Sequence, residues 1–341
     1  MQSPTAAMAT TVSTTTVSTT TVSLPEKSVA NKKISRRGFE TLVAMGTACL
    51  AMPQATADDK SDTRWIDAHV HVWTPNTKRY PLAPTFAVSD MQPPSFTPEQ
   101  LFAHSRPAGV DRIVLIQMSF YGYDNSYMLD SMAAHPGIFS GVAIIDPQSA
   151  NVGKQIQDLA KRGVRGLRIH PGPKQAAGWI NDDAMATVWK AAGEHGVAIC
   201  LLINPADLPH VEAMCRKFPG IRVVIDHFAR VGMRGSSDSE ALDTLCGLSR
   251  FREVYVKTSA FYALGNKRPP YVDLIPMLRR LCDAYGPERL MWASDCPYQV
   301  QGEHTYADSI ALIRDRSDFL ADNDKQWLLR GTAERVFFSP R

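Results

Sequence analysis

Cysteine is scarce in this 341-residue chain, and what there is forms no pattern. Of the six, Cys49 lies near the N-terminus, and Cys200, Cys215, Cys246, Cys282 and Cys296 follow. The later five are odd in number and contain no Cys-x-x-Cys pair, which argues against a disulfide framework and against a thiolate zinc site. Cys200, inside an apolar run, reads as core. No Gly-x-Gly-x-x-Gly follows the first predicted strand, so nothing supports a dinucleotide-binding fold. The apolar stretch 41–52 falls short of a membrane span. An excess of one charge is missing too. The chain has 37 Lys and Arg against 34 Asp and Glu, but five of the former and two of the latter precede residue 58, leaving 32 of each. The formal +3 therefore belongs to the N-terminal segment. A neutral remainder gives no electrostatic case for nucleic acid or an anionic membrane as partner.

That N-terminal segment, residues 1–57, reads as a leader. Its first 30 residues are rich in Thr, Ser and Val and nearly repeat themselves at Thr14-Thr15-Thr16-Val17-Ser18 and Thr19-Thr20-Thr21-Val22-Ser23, a low-complexity tract. Ser35-Arg36-Arg37-Gly38-Phe39, the apolar stretch and the small-x-small Ala55-Thr56-Ala57 follow in the order of a twin-arginine export signal. The expectation is export to the periplasm with 58–341 as the mature domain. Gly46 is a poor residue three positions before Cys49, so a lipid anchor is not expected.

From Trp65 onward, short apolar runs alternate with amphipathic segments. Strands are predicted over Trp65–Val72, Arg112–Gln117, Phe139–Ile145, Val164–Ile169, Ala198–Ile203, Arg222–Ile225, Val254–Thr258 and Leu290–Ala293. Helical patterns fall near Pro98–Ser105, Ser126–His135, Val152–Arg162, Asp182–His195, Leu208–Phe218, Ser239–Arg250, Tyr271–Tyr285 and Tyr306–Arg316. The first is marked by Thr97 as cap, Pro98 in the first turn and Gln100 three residues after the cap. Gly163, Gly196 and Gly220 sit where helices should end. Eight strand–helix repeats fit an α/β fold of the (β/α)8 TIM-barrel type, with a doubly wound open sheet as the alternative. The patternless, proline-rich segment after the first strand, Trp73–Ser95, would then lie at the C-terminal mouth and shape a site there.

In such a barrel, function sits at the C-terminal strand ends. The first strand carries His69-Val70-His71, and period two places Asp67, His69 and His71 on one face with Ile66, Ala68, Val70 and Val72 on the other. His-x-His alone fits half a metal site and a hydrogen-bonded imidazole pair equally well. The fourth strand ends in Arg168 and His170, the fifth in Asn204, the sixth in Asp226-His227, the seventh in Lys257 and Ser259, and the eighth in Ser294-Asp295.

The order His-x-His, His and Asp on strands one, six and eight resembles the amidohydrolase superfamily. The span from about Trp65 to Phe338 is similar to its amidohydrolase-related group, which includes sugar-lactone hydrolases, 2-pyrone-4,6-dicarboxylate lactonase and some nonoxidative decarboxylases. The runs that carry the resemblance are Ile66-Asp67-Ala68-His69-Val70-His71-Val72-Trp73, Phe218 to His227, and Arg289 to Tyr298 with its Ser294-Asp295-Cys296-Pro297, and Gly331 to Phe337 matches the usual last helix. Two departures matter. Asn204 stands where many metal-dependent members have a strand-five His, and strand four offers no Lys to bridge two metals. The resemblance thus implies a lactonase-like hydrolase with one divalent ion, zinc or manganese, on His69, His71 and Asp295, or a metal-independent site of the same residues. It implies Asp295 as general base, His227 beside it, and Arg168, His170, Lys257, Asn204 and Tyr298 as substrate-binding groups. An internal ion pair of Arg168 or Lys257 with Asp67 or Asp226 is the competing role for those two cations. The rival activity is a metal-dependent nonoxidative decarboxylase of an aromatic or enoic acid, and the rival class a binding protein on a retired scaffold. The expected partner is a small-molecule substrate; homo-oligomerisation stays open.

Overall fold

The computed structural model describes residues 64–235 and 239–339. The leader, with Arg36 and Arg37, lies outside the described residues. Eight parallel strands run in chain order around a nearly closed barrel: β1 (Trp65–Val70), β2 (Val110–Ile116), β3 (Phe139–Ala143), β4 (Val164–Ile169), β5 (Ala198–Leu201), β6 (Val223–Ile225), β7 (Val254–Ser259) and β8 (Leu290–Ala293). Both faces of a barrel strand are covered, so runs such as Ala198-Ile199-Cys200-Leu201 are buried end to end. Between and after the strands come α1 (Pro98–Ser105), α2 (Ser126–Ala134), α3 (Val152–Lys161), α4 (Asp183–Glu194), α5 (Leu208–Lys217), α6 (Ser239–Gly247), α7 (Ile275–Tyr285) and α8 (Tyr306–Arg314). These match the predicted segments to within a few residues.

Local chemistry sets the boundaries. At α1, the Gln100 side chain accepts from Thr97 N at 2.8 Å and Gln100 N donates back to Thr97 Oγ1 at 3.5 Å, with Pro98 in the first turn. Asp182 starts α4 by accepting from Ala184 N and Met185 N at 2.9 and 3.1 Å. Gly163, at φ 91, ends the α3 turn in a conformation costly for any residue with a Cβ. Gly166 on β4 has a different reason: a Cβ there would meet Cys200 Sγ and Val142 Cγ2 at 2.8 Å each.

The core has two compartments. An outer one joins sheet to helices and holds Ile113, Leu115, Trp189 and Trp292. The inner one fills the barrel with Ile66, Ala68, Val114, Ile116, Val142, Ala198, Cys200, Val224, Met291 and Ala293. Its floor is closed by Ala333, Val336 and Phe337 of the last helix, α10 (Thr332–Phe337), which follows the short α9 (Asp322–Gln326). Arg112 holds Glu334 of α10 at 2.6 Å, and Arg222 donates to the Val336 carbonyl at 2.9 Å.

One expectation is corrected. Asp67, His69 and His71 do not share a face by simple alternation. The β1–β2 register shifts between Asp67 and Val70. Ile66 and Ala68 consequently face the barrel interior, while Val70 and Val72 pack into the outer compartment. The shift is what frees His69 and His71 to face inward, and it leaves Asp67 in the seam with β8. There Asp67 accepts from Ser294 N at 2.9 Å and from the Tyr306 hydroxyl at 2.7 Å. Above it the barrel closes through Asp295 N to the His69 carbonyl at 2.9 Å and His71 N to the Cys296 carbonyl at 2.8 Å.

Candidate active site

The strand ends converge. Three of them, those of β6, β7 (Ala260, φ 56) and β8, need backbone conformations that side chains resist. After β6 the chain runs left-handed through His227, Phe228, Ala229 and Arg230, with φ of 52, 54, 53 and 61, and Asp295 after β8 has φ 67. Such residues cost about 1–2 kcal/mol each. Strain of this kind collects where side-chain placement matters more than local stability. Here it sets His227 and Asp295 face to face, His227 Nε2 lying 3.8 Å from Asp295 Oδ2.

His69 Nε2, His71 Nε2 and Asp295 Oδ1 form a near-equilateral triangle with sides of 3.3, 3.4 and 3.5 Å. His71 Nδ1 lies 2.9 Å from the Ile116 carbonyl, so Nδ1 carries the proton and Nε2 offers a lone pair. His69 Nδ1 has Asp226 Oδ1, an acceptor, at 3.4 Å and the Lys257 ammonium, a donor, at 3.2 Å; on the other side of the ring the Arg168 guanidinium, which can only donate, faces Nε2 and calls for a lone pair there. Three electron-pair donors thus point at one another with no proton among them. A tetrahedral ion with bonds of about 2.0–2.2 Å sets its donors about 3.3–3.5 Å apart, so the residues present fit one divalent ion, and the carbonyl and carboxylate behind the imidazoles are the usual outer partners of such ligands. A competitor for the same lone pairs is already in place: Arg168 NH1 stands 3.3 Å from His69 Nε2.

Asp226 is the buried hub beneath this triangle. Lys257 Nζ lies 3.0 Å from its Oδ1 and Arg168 NH1 3.1 Å from its Oδ2. Burial pushes the Asp226 carboxyl up, but Lys257, His69 and Arg168 together pull it well below the usual carboxylate range. His69 is held far below its ordinary value by burial and by Lys257. Burial pushes His227 down to about 4. Burial pushes the Asp295 carboxyl up, yet its neighbours, the facing His227 foremost, outweigh that and hold the group below the ordinary range, so it is ionised at neutral pH. The Tyr262 hydroxyl donates to Asp295 Oδ2 at 2.7 Å, and His227 Nδ1 shares a 2.8 Å hydrogen bond with Ser259 Oγ.

A cavity of about 260 Å³ opens above. His71, Arg168, His170, His227, Arg230, Tyr262, Asp295 and Tyr298 line it. Of the predicted residues, Asp295, His227, His71, Arg168, His170 and Tyr298 therefore meet in one wall, with the Tyr298 ring 6.0 Å from that of His71. His69 is fully buried just beneath. Lys257 is corrected: it is wholly buried, pairs with Asp226 rather than Asp67, and does not reach the cavity. Asn204 stands exposed at the rim, accepting from Arg230 NH1 at 3.3 Å, and is not part of the cavity wall. Arg230 and Tyr262 were not anticipated. Both sit in short helical turns, Arg230 after β6 and Tyr262 after β7, too brief for periodicity to indicate which way a side chain turns. Asp226 was visible in Asp226-His227, but its role as the shared counter-ion was only one of the alternatives.

A family profile described as amidohydrolase matches residues 66–338. An L-fucono-1,5-lactonase of Burkholderia ambifaria is 29% identical over 241 residues, covering 70% of this chain and 82% of the relative. A Pseudomonas putida protein proposed to be a 2-pyrone-4,6-dicarboxylic acid hydrolase superposes with a TM-score of 0.67 at 26% identity, covering 81% of this chain and 98% of its own. An amidohydrolase of Burkholderia multivorans with bound zinc superposes with a TM-score of 0.70 at 19% identity, covering 81% and 100%, a likeness of fold.

Proposed function

The chain belongs to the amidohydrolase family, and on that premise we propose that it hydrolyses a small lactone, a carboxylated lactone in preference to an uncharged one. The observation that carries this reading is Asp295: an ionised carboxylate in the cavity wall, oriented by Tyr262 and facing His227, with Arg168, His170 and Arg230 across the same cavity. The likeness to a lactonase supports the bond type. The three basic side chains support the anionic substrate, since a guanidinium matches a carboxylate in shape and charge.

The chemistry follows from the protonation states. Asp295 Oδ2 takes a proton from water, and the resulting hydroxide adds to the lactone carbonyl. His227 is neutral above its low pKa; with Ser259 donating to Nδ1, its Nε2–H donates to the developing oxyanion, joined by Arg168. When the ring C–O bond breaks, the alkoxide takes the proton back from Asp295, leaving a hydroxy acid and a base ready for another cycle. His69, His71 and Asp295 Oδ1 would hold a divalent ion, which when bound polarises a carbonyl and acidifies water. Arg168 offers the same donors a cation of the protein's own, which supports a metal-independent enzyme equally well.

Proton release by the protein beginning at Asp58, measured on a panel of aldonolactones and pyrone or muconolactone acids with and without chelator, tests the reading. Turnover of a lactone is expected, fastest on the carboxylated ones, and the chelator arm tells whether an ion takes part. Silence on every lactone with carbon dioxide released from an aromatic acid would replace this reading with the decarboxylase, which has the weaker support. For the leader, the proposal is periplasmic export by the twin-arginine route; replacing Arg36 and Arg37 by Lys should trap the precursor in the cytoplasm, and normal export of that variant would reject it.

A further inference from the structure

A second cavity, of about 840 Å³, adjoins the first and shares Ser119, Ile144, Arg168 and His170 with it. Its far wall is apolar. The loop after β1 contributes Phe86, the loop after β2 Tyr121 and Tyr123, the β3 end Ile145, and the turn before α4 Trp179. The substrate anion has no counterpart there: among the described residues, Arg168 and His170, which it shares with the first cavity, are the basic side chains that line it, and Asp124 is the acid. Exposed apolar groups mark the same place. Among the described residues, five large hydrophobics are exposed, and three of them, Phe86, Tyr123 and Met233, border these two cavities. Exposed apolar side chains that gather at one mouth, and not singly over the surface, mark a surface that something apolar covers.

We propose that this annex is a subsite for an apolar substituent of the substrate. The small cavity, at about 260 Å³, holds little more than a carboxylated lactone ring. Arg168 and His170 form the shared wall and keep the anion on the catalytic side. A substituent leaving the ring past Ile144 then lies among Tyr121, Ile145 and Trp179, out of water. The substrate class is thus an anionic lactone carrying an alkyl or aryl arm, not a bare sugar lactone. This inference rests on the lactonase reading, and its test separates the two.

The experiment is kcat/KM on carboxylated lactones whose ring bears hydrogen, ethyl, butyl or hexyl, for wild type and for Thr85→Trp. Thr85 is exposed and lines only the annex, so an indole there narrows it without touching the catalytic wall. In the wild type kcat/KM should climb by about fourfold per added methylene until the annex is full. In Thr85→Trp the climb should flatten while the unsubstituted lactone reacts at the wild-type rate, which also shows the variant folded. A flat or falling wild-type series with the parent lactone hydrolysed overturns the annex and leaves the lactonase standing. A climb that Thr85→Trp does not change overturns it as well, because the arm then lies elsewhere. No turnover of any member, the parent included, is the failure of the lactonase reading itself.

Discussion

Up to the level of Ala68 the barrel interior is largely apolar: Ile66, Val114, Ala198, Met291 and the Phe337 plug, all buried against one another. A single layer higher, the same strands present His69, Arg168, Asp226, Lys257 and Asp295. Lys257 stands between the two, its ammonium 5.3 Å from the Phe337 ring centre and 3.0 Å from Asp226. The contrast teaches that the lower half supplies the burial that the upper half forgoes. Buried ions roughly break even against apolar packing, so the charged layer is retained for its chemistry and not for stability.

Substitutions on either side of that divide should have opposite signatures. Asp295→Asn should fold normally and lower kcat/KM on a hydrolysed lactone by about 10²–10⁴-fold; a variant keeping most of its activity would remove Asp295 as the base. Asp226→Asn strands two buried cations and should cost about 3–5 kcal/mol in denaturant unfolding, with activity falling too because Arg168 loses its anchor. Phe337→Ala should cost about 3–4 kcal/mol yet leave kcat/KM per folded molecule within about threefold, the burial term being worth nothing to the reaction. If Phe337→Ala inactivates the enzyme without unfolding it, the two layers are not separable.

The smallest effect is a pH dependence. His227 titrates at about 4 in the folded protein and at its ordinary 6.5 when unfolded. Between those values the unfolded chain binds the extra proton, so stability rises with pH across the window and falls by about 3 kcal/mol on acidification through it. Asp67, which burial raises to about 6, acts in the opposite sense and is common to wild type and variant. His227→Asn should therefore gain on wild type when melting is compared at neutral pH and near about pH 4.5. A constant difference between the two proteins would mean that His227 is not held neutral by burial.

Much of this was legible in the chain. Apolar runs of four to eight residues, the Thr97–Gln100 cap and the glycines after α3 and α4 are local signals, and each strand–helix unit lies within a few residues of the segment predicted for it. Period two on β4 and β7 placed Arg168 and Lys257 correctly on the inner face. It failed on β1, where the bulge moves Ile66 and Ala68 onto the inner face and His69 and His71 with them. It also could not tell a cation that meets substrate from one that only meets Asp226, which is why Lys257 was misplaced.

What the sequence by itself determined is the set of β/α units and the ionisable groups at the ends of their strands, because both arise from interactions within a few residues. The tertiary structure alone decided which of those groups share a proton, a counter-ion or a cavity wall. Asp67 is placed by Ser294, 227 residues away in the chain, and His69 by Lys257 of β7 and Asp226 at the end of β6, neither of which pairs with β1. Such contacts exist only once the barrel closes, and the closing seam between β1 and β8 runs through the site itself.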